Sequence, residues 1–193
     1  ATLSQQQRNN LVAAFARGTK SPVQAPLLGY DDYPWLTQVT GSAVISEHVD
    51  TRKEVERSVQ VSWLHSEQDC IERIEQAVRE GHCIAWIRNS VDDAIRIYRQ
   101  LFTRGVILAE DITLFHSRFA FHDRQRIETQ TLELFGKKDH TRRAGKVIIA
   151  TQVIEQSLDI DVDYMISDLA PVDLLIQRAG RLQRHIRDGI GQV

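Results

Sequence analysis

An alternation of amphipathic helical segments with short apolar segments is the strongest constraint on the fold of this 193-residue chain. Apolar side chains recur every three or four positions in the predicted helices, which cover residues 69–80, 91–102, 121–135 and 171–184. Short apolar runs predict strands over residues 83–87, 112–115, 146–150 and 164–169. This pattern predicts an α/β fold, in which a parallel sheet carries helices on both faces. Ligands bind such sheets at the carboxyl ends of the strands, so we expect the chemistry in the loops after residues 87, 116, 151 and 169.

The first third of the chain gives weaker signals. A polar sequence with a thin apolar stripe predicts a helix over residues 3–17. Residues 18–42 contain three of the four prolines, which is typical of a linker or a long irregular segment. Polar and apolar residues alternate over residues 54–64, which predicts a strand with one face in water.

The charge balance excludes one class of nucleic-acid-binding protein. The chain has 24 Lys and Arg against 26 Asp and Glu, so overall positive charge cannot bring it to nucleic acid, although a local cationic groove can. No apolar run approaches the ~20 residues of a membrane helix, and the N-terminus is too polar for a secretory signal. Cys70 and Cys83 have neither metal-binding nor redox spacing. We therefore expect a cytoplasmic protein that does not contact a membrane.

The segment Gln177-Arg178-Ala179-Gly180-Arg181-Leu182-Gln183-Arg184 carries the strongest chemical signal. On a helix with roughly 100° per residue, Gln177, Arg181 and Arg184 share one polar face. Glycine inside a helix costs roughly 1 kcal/mol relative to alanine, so Gly180 indicates close approach of a backbone or a ligand. Arginine matches phosphate geometry and stabilises the charge of phosphoryl transfer, while an amide can orient the attacking water. The alternative is a solvated face paired with carboxylates, but the whole segment favours phosphoryl transfer.

Several segments resemble motifs of the superfamily 2 helicases. The pattern Gln177-Arg178-x-Gly180-Arg181-x-x-Arg184 resembles their sixth motif, and the run from Val147 to Asp159 resembles their fifth. The run from Ala150 to Asp159, continued by Asp168-Leu169-Ala170-Pro171, is most similar to the helicase of CRISPR-associated type I interference, in which the helicase is joined to a histidine–aspartate nuclease. Further likeness to this family lies in Leu114-Phe115-His116-Ser117-Arg118-Phe119 and Ile87-Arg88-Asn89-Ser90-Val91. The resemblance implies a RecA-like sheet that serves as the second motor domain.

The resemblance also implies roles for individual residues. Arg181 and Arg184 would be arginine fingers that reach ATP held by another domain, and Gln177 would orient water near the terminal phosphate. Asp159 would contact or couple to the ribose, and Ser157 would lie near the nucleotide where many superfamily members have glycine. The residues expected to contact the DNA backbone are Asn89, His116, Ser117, Arg118, Thr151 and Gln152.

The sequence lacks half of an ATPase. It contains no Gly-x-x-x-x-Gly-Lys-Ser/Thr loop and no Asp-Glu pair to hold magnesium, so ATP with Mg must be held mainly by a first motor domain. Ala1-Thr2-Leu3 resembles the end of the third helicase motif. We therefore expect an excised fragment or a truncation, with the end of the first motor domain and a connecting segment in 1–42 and the second motor domain in 43–193. This chain alone is expected to be inactive. The expected partners are single-stranded DNA, the parent's first motor and nuclease domains, and an RNA-guided CRISPR surveillance complex.

Other interpretations stay open at this point. Asp159, Asp161 and Asp163 alternate but lack the glycine and the terminal glutamate of an EF-hand, so we expect no metal site there. His116 and His122 also lack further ligands in a suitable pattern. Another superfamily 2 DNA or RNA helicase is one alternative function, and a non-catalytic nucleic-acid-binding or nucleotide-binding module is another. An adaptor that binds an acidic protein through its basic C-terminal helix is the third.

Overall fold

A computed structural model describes residues 4–19, 35–40, 43–50, 58–137 and 142–185, without the side chains of Gln156 and Ser157. The chain divides into two compact units, Ala1–Gln60 and Val61–Val193. The predicted domain boundary after residue 42 stays a prediction. The structure does pair strands from the two sides of that position, as the next paragraph describes.

The described part of the first unit contains one helix and one pair of strands. Helix α1 covers Gln5–Gly18 and begins with a capping box, in which the Ser4 hydroxyl accepts a hydrogen bond from the Gln7 amide. Strands β1, Trp35–Val39, and β2, Val44–His48, pair antiparallel. The predicted linker over residues 18–42 is therefore wrong at β1, and its residues 20–34 and 41–42 lie outside the described ranges.

The second unit follows the predicted alternation. Its elements in chain order are α2 (Glu67–Arg79), β3 (Ile84–Ile87), α3 (Val91–Arg104), a 3-10 turn (Ala109–Asp111), β4 (Ile112–Phe115), α4 (Phe121–Phe135), β5 (Val147–Ala150), α5 (Val153–Ser157), β6 (Tyr164–Ser167) and α6 (Val172–Ala179). All eight helices and strands predicted between residues 69 and 184 are present. The short helix α5 is an addition that the periodicity did not predict.

Four parallel strands form the sheet in the order β4-β5-β3-β6. Successive side chains of a strand point to opposite faces, and β3 divides its residues accordingly. Ile84 and Trp86 belong to a core cluster with residues of α2 and α3, whereas Ala85 and Ile87 belong to a second cluster with residues of α4 and α5. The predicted α/β class, a parallel RecA-like sheet with helices on both faces, is confirmed.

Serine and glycine residues set several helix ends. Ser66 and Ser90 cap the N-termini of α2 and α3 through their hydroxyl groups. Gly105 ends α3 in the left-handed region, with φ of 68°. Helix α6 ends at Ala179 and not at residue 184: Gly180 is its C-cap, still with helical angles, and the chain then turns through Gln183, whose φ is 42°. The glycine thus ends the helix instead of lying inside it.

The predicted strand over residues 54–64 is also wrong where the structure describes it. Residues 58–64 form no strand, and Val61 and Trp63 are largely exposed. Residues 54–57 lie outside the described ranges. None of the described helices is long and apolar enough to span a bilayer.

Candidate functional site

The ends of the four parallel strands meet at one edge of the sheet. Arg88, Thr151 and Asp168 each donate their backbone N–H to the last residue of a neighbouring strand, at 2.8, 3.1 and 3.0 Å. These bonds extend the ladder by one residue and hold the loops in register. We call this region the carboxyl edge and define it as residues 88–90, 116–118, 151–152 and 168–170.

Two exposed amide side chains lie next to each other at the carboxyl edge. Gln152 Nε2 donates to the Asn89 carbonyl at 3.2 Å, and Asn89 Nδ2 donates to the Leu169 carbonyl at 2.8 Å. Thr151, by contrast, is buried. Of these three predicted DNA-contacting residues, Asn89 and Gln152 are therefore exposed to solvent, while Thr151 supports the loop that carries Gln152.

The loop after β4 contains the predicted residues His116, Ser117 and Arg118. The buried His116 ring stacks on Phe119 at 4.2 Å between centroids, and its Nδ1 accepts a hydrogen bond from the Arg118 amide at 3.2 Å. Burial lowers the pKa of His116 below its ordinary value, so the ring is neutral at pH 7. Ser117 and Arg118 are exposed, and the Arg118 guanidinium pairs with Asp92. The histidine therefore shapes the loop, and the serine and arginine form its open surface.

A buried arginine that was not predicted as a site residue anchors the carboxyl edge. Arg88 Nε donates to Asp168 Oδ2 at 3.1 Å, and its Nη1 donates to Glu67 Oε1 at 2.9 Å. The same Asp168 oxygen accepts a hydrogen bond from the backbone N–H of Asn89 at 2.8 Å. Glu67 also accepts two hydrogen bonds from Arg96, and the two arginines together lower the pKa of Glu67 to about 2. This network fixes the backbone of Asn89.

The predicted nucleotide-binding residues gather at a second place. Arg181 Nη2 donates to the Glu155 carbonyl at 2.7 Å, and its Nη1 donates to the Leu158 carbonyl. Arg184 Nε lies 3.2 Å from Asp159 Oδ1. Both arginines thus face the C-terminal end of α5 and the residues after it. We call Arg181–Arg184 the arginine segment.

The prediction that Gln177, Arg181 and Arg184 share one face of a helix is wrong. Gln177 is exposed on α6, but both arginines lie beyond the end of that helix. Leu182 forms a parallel bridge with Val162, which precedes β6. Because of this bridge, the arginine segment lies beside the residues that precede β6 and not beside the loop that follows β6.

Two positive charges lie close together in the arginine segment, with the carboxylate of Asp159 beside them. Burial lowers the pKa of Arg181, and the nearby charge of Arg184 lowers it further. An arginine stays protonated at neutral pH despite such a shift, so two like charges are held close together. Asp159 balances Arg184, and both side chains are about half exposed. Ser157 ends α5 two residues before Asp159, and its side chain lies outside the described part of the chain.

A buried ion pair lies between the two places. Arg178 is 1% exposed, and its Nε donates to Glu155 Oε1 at 2.7 Å. Its Nη1 donates to Ser167 Oγ at 2.7 Å and to the Asp168 carbonyl at 3.1 Å. Sequence reasoning included Arg178 in the motif but gave it no role. The available signal was weak: Glu155 follows Ile154 and Arg178 precedes Ala179, but each has a glutamine on its other side.

The family comparison covers both places. The protein-family model "CRISPR-associated nuclease/helicase Cas3, C-terminal" matches residues 80–187 of the sequence, a range that includes every residue predicted for the site. The chain belongs to the Cas3 C-terminal family. The predicted membership in the CRISPR-associated helicase–nuclease family is thereby confirmed.

Curated and solved Cas3 proteins agree with this assignment. The chain is 35% identical to the Cas3 nuclease/helicase of Streptococcus thermophilus over 190 residues, which is 96% of this chain and 20% of that protein. The crystal structure of T. fusca Cas3-AMPPNP aligns with a TM-score of 0.77 and 35% identity over 96% of this chain and 23% of that one. A chain in the structure "CRISPR RNA-guided surveillance complex, pre-nicking" aligns with a TM-score of 0.73 and 32% identity, over 96% of this chain and 24% of that one. The chain thus spans about a fifth of the length of these Cas3 proteins.

Proposed function

We propose that this chain is the second motor domain of an ATP-dependent DNA helicase of type I CRISPR interference. The observation that carries the proposal is the cluster of Arg181, Arg184 and Asp159, which lies apart from the polar side chains of the carboxyl edge. A motor needs such a division, because one site must respond to nucleotide and the other must hold the strand. The likeness to T. fusca Cas3-AMPPNP and Cas3-ATP supports the choice of nucleotide.

ATP with Mg is held mainly by the first motor domain, since this sequence has no phosphate loop. Arg181 and Arg184 complete the site from the opposite side of a cleft and stabilise the charge that spreads over the transferred phosphate. Arg184 exchanges the Asp159 carboxylate for phosphate oxygens, and Asp159 is then available for the ribose. Gln177 orients the attacking water, and Ser157 lies near the phosphates.

The test is ATP turnover by the full-length protein in the presence of single-stranded DNA. Arg181→Ala and Arg184→Ala should each lower turnover by about 10³-fold, the effect of removing an arginine finger. Arg126→Ala is the matched control, because Arg126 is an exposed arginine on α4 that pairs only with a nearby aspartate among the described contacts. Turnover close to that of the control in both finger variants would contradict the proposal.

The carboxyl edge forms part of the DNA track in this proposal. Asn89, Ser117, Arg118 and Gln152 contact the strand directly, because they are exposed. The buried His116 and Thr151 act by shaping their loops. Replacing Asn89 and Gln152 together by alanine should weaken binding of single-stranded DNA by the full-length protein, without changing ATP binding. Unchanged DNA affinity would remove these residues from the track.

The partners follow from the same proposal. The first motor domain supplies the phosphate site, and the nuclease domain degrades the strand that the motor delivers. An RNA-guided surveillance complex opens the target, which the alignment to such a complex supports. Co-purification of the full-length protein with that complex on target DNA tests the partner. A non-catalytic module is the remaining alternative, and ATP turnover by the full-length protein at the level of the finger variants would favour it.

A further inference from the structure

We propose that Glu155 and Arg178 are positioning residues that connect the arginine segment with the carboxyl edge. The inference rests on the proposed function. The described contacts join the two places through this pair: Arg181 touches Glu155, Glu155 touches Arg178, and Arg178 touches the loop that holds Asn89. A change at the nucleotide can therefore reach the DNA track through a few short hydrogen bonds.

Glu155 forms the nucleotide-side half of the connection. Its carbonyl accepts Arg181 Nη2 at 2.7 Å, and its carboxylate accepts Arg178 Nε at 2.7 Å. Helix α5, which carries Glu155, begins at Val153, immediately after Thr151 and Gln152. A helix of five residues is about 7.5 Å long, so the Glu155 contacts lie only a few ångströms from Gln152 along α5. When Arg181 leaves the Glu155 carbonyl for a phosphate, the restraint on the C-terminal end of α5 is lost.

Arg178 forms the DNA-side half. Its Nη1 donates to Ser167 Oγ at 2.7 Å and to the Asp168 carbonyl at 3.1 Å. The Asp168 carboxylate in turn accepts a hydrogen bond from the backbone N–H of Asn89 at 2.8 Å. One guanidinium thus holds the loop after β6 and, through Glu155, the element that follows β5. The loop after β6 contacts Asn89, which lies in the loop after β3, and the element after β5 is preceded directly by Gln152.

The burial of the pair argues for positioning over stability. The Arg178 and Glu155 side chains are 1% and 6% exposed, so both charges are removed from water. Such a pair is often no more stabilising than apolar residues of the same size. Arg178 Nη2 is also buried and has no hydrogen-bond partner among the described residues. An arrangement kept for stability alone would satisfy that donor.

The test uses the full-length protein with the double substitution Glu155→Leu and Arg178→Met. This replacement removes the connection without leaving a lone buried charge. We expect ATP turnover without DNA to stay within about threefold of wild type, while the stimulation of turnover by single-stranded DNA falls by about tenfold or more. Small misplacements of catalytic groups have effects of this size on rates. A purely structural role would lower both rates together. Unchanged stimulation, or a proportional loss of both rates, would overturn the inference.

The chain offers a control pair with a buried glutamate and a partly exposed arginine, away from the carboxyl edge. Arg104 Nε donates to Glu75 Oε1 at 2.6 Å and joins α3 to α2, with Glu75 buried. Arg104 is the last residue of α3, whereas the carboxyl edge adjoins the first residue, about 20 Å away along the helix. The double substitution Glu75→Leu and Arg104→Met should keep the stimulation by DNA. If the control loses it as well, the effect is general loosening and the inference fails.

Two further variants keep the outcome interpretable. Glu155→Gln keeps an acceptor oxygen for Arg178 but removes the charge, so it serves if the apolar pair does not fold, and its stimulation by DNA should still fall, by about threefold or more. Stimulation at the wild-type level in a folded Glu155→Gln variant would overturn the inference. Arg181→Ala separates the two proposals. If it leaves turnover intact, the proposed function fails; if it abolishes turnover while the double variant keeps full stimulation, only the connection fails.

Discussion

Removing the Arg178 guanidinium should destabilise the fold more than removal of any exposed charge in the chain. Arg178→Met leaves the Glu155 carboxylate 6% exposed and without the arginine that neutralises it. Breaking a buried ion pair in this way costs about 3–5 kcal/mol, because the remaining charge is neither hydrated nor paired. Ser167 Oγ and the Asp168 carbonyl also lose a charged donor.

The thermal midpoint reports this loss directly. A unit of the size of Val61–Val193 loses roughly 3–4 °C per kcal/mol, so the substitution should lower the midpoint by roughly 9–20 °C. Differential scanning calorimetry and circular dichroism of the 193-residue chain measure it. Adding Glu155→Leu should recover most of the loss, since the lone carboxylate is then gone. A midpoint within about 2 °C of wild type for Arg178→Met, or no recovery in the double variant, would refute the reasoning.

Three further predictions follow from local geometry. Folding lowers the pKa of Glu67 to about 2, mainly through hydrogen bonds from Arg96, so this contribution to stability is complete above pH ~4.5 and is lost as the pH falls towards 2. Glu67→Gln should therefore weaken the pH dependence of the unfolding free energy between pH ~4.5 and 2, and an unchanged pH dependence would contradict this. Gly105→Ala should cost about 1 kcal/mol in urea unfolding because φ is 68°, and equal stability would show that the turn relaxes. Arg118→Ala in the full-length protein should reduce the salt slope of single-stranded DNA binding by about 1. Arg99 is an exposed arginine of α3 outside the carboxyl edge, so Arg99→Ala should leave the slope unchanged, and equal slopes for the two variants would contradict the prediction.

The sequence predicts the sheet of the second unit well, and the reason is physical. The central strands are buried on both faces, so they read as continuous apolar runs, and all four residues of β3 and of β5 are buried. Their helices have strong periodicity and local end signals such as Ser90 and Gly105. Strong local signals and burial agree here, and the predicted bounds differ from the observed ones by only a few residues.

The errors arise where tertiary contacts decide. Periodicity alone continues α6 to residue 184, but Gly180 and the bridge between Val162 and Leu182 end the helix. The hairpin of the first unit was hidden by the neighbouring prolines, although Trp35–Val39 and Val44–His48 are close enough for a tight connection. An alternating pattern over residues 58–64 did not suffice for a strand, because alternation needs a neighbouring strand to pair with.

The candidate site divides in the same way. The resemblance to the helicase family implied residues that lie together at the carboxyl edge, where parallel topology places the strand ends. It also identified Asp159 and Arg184, which form an ion pair in the structure. It did not identify Arg88 or the Glu155–Arg178 pair. Such partners are many positions apart, and only the folded chain shows that their side chains meet.

The most direct test of the second-motor assignment is a structure of the full-length protein with a non-hydrolysable ATP analogue and single-stranded DNA. The account predicts that the Arg184 guanidinium has left Asp159 and lies within about 3 Å of an oxygen of the terminal phosphate. It also predicts that Arg181 no longer donates to the Glu155 carbonyl. An analogue bound in the closed cleft, with both of these contacts unchanged and no guanidinium of this segment near the phosphates, would contradict it.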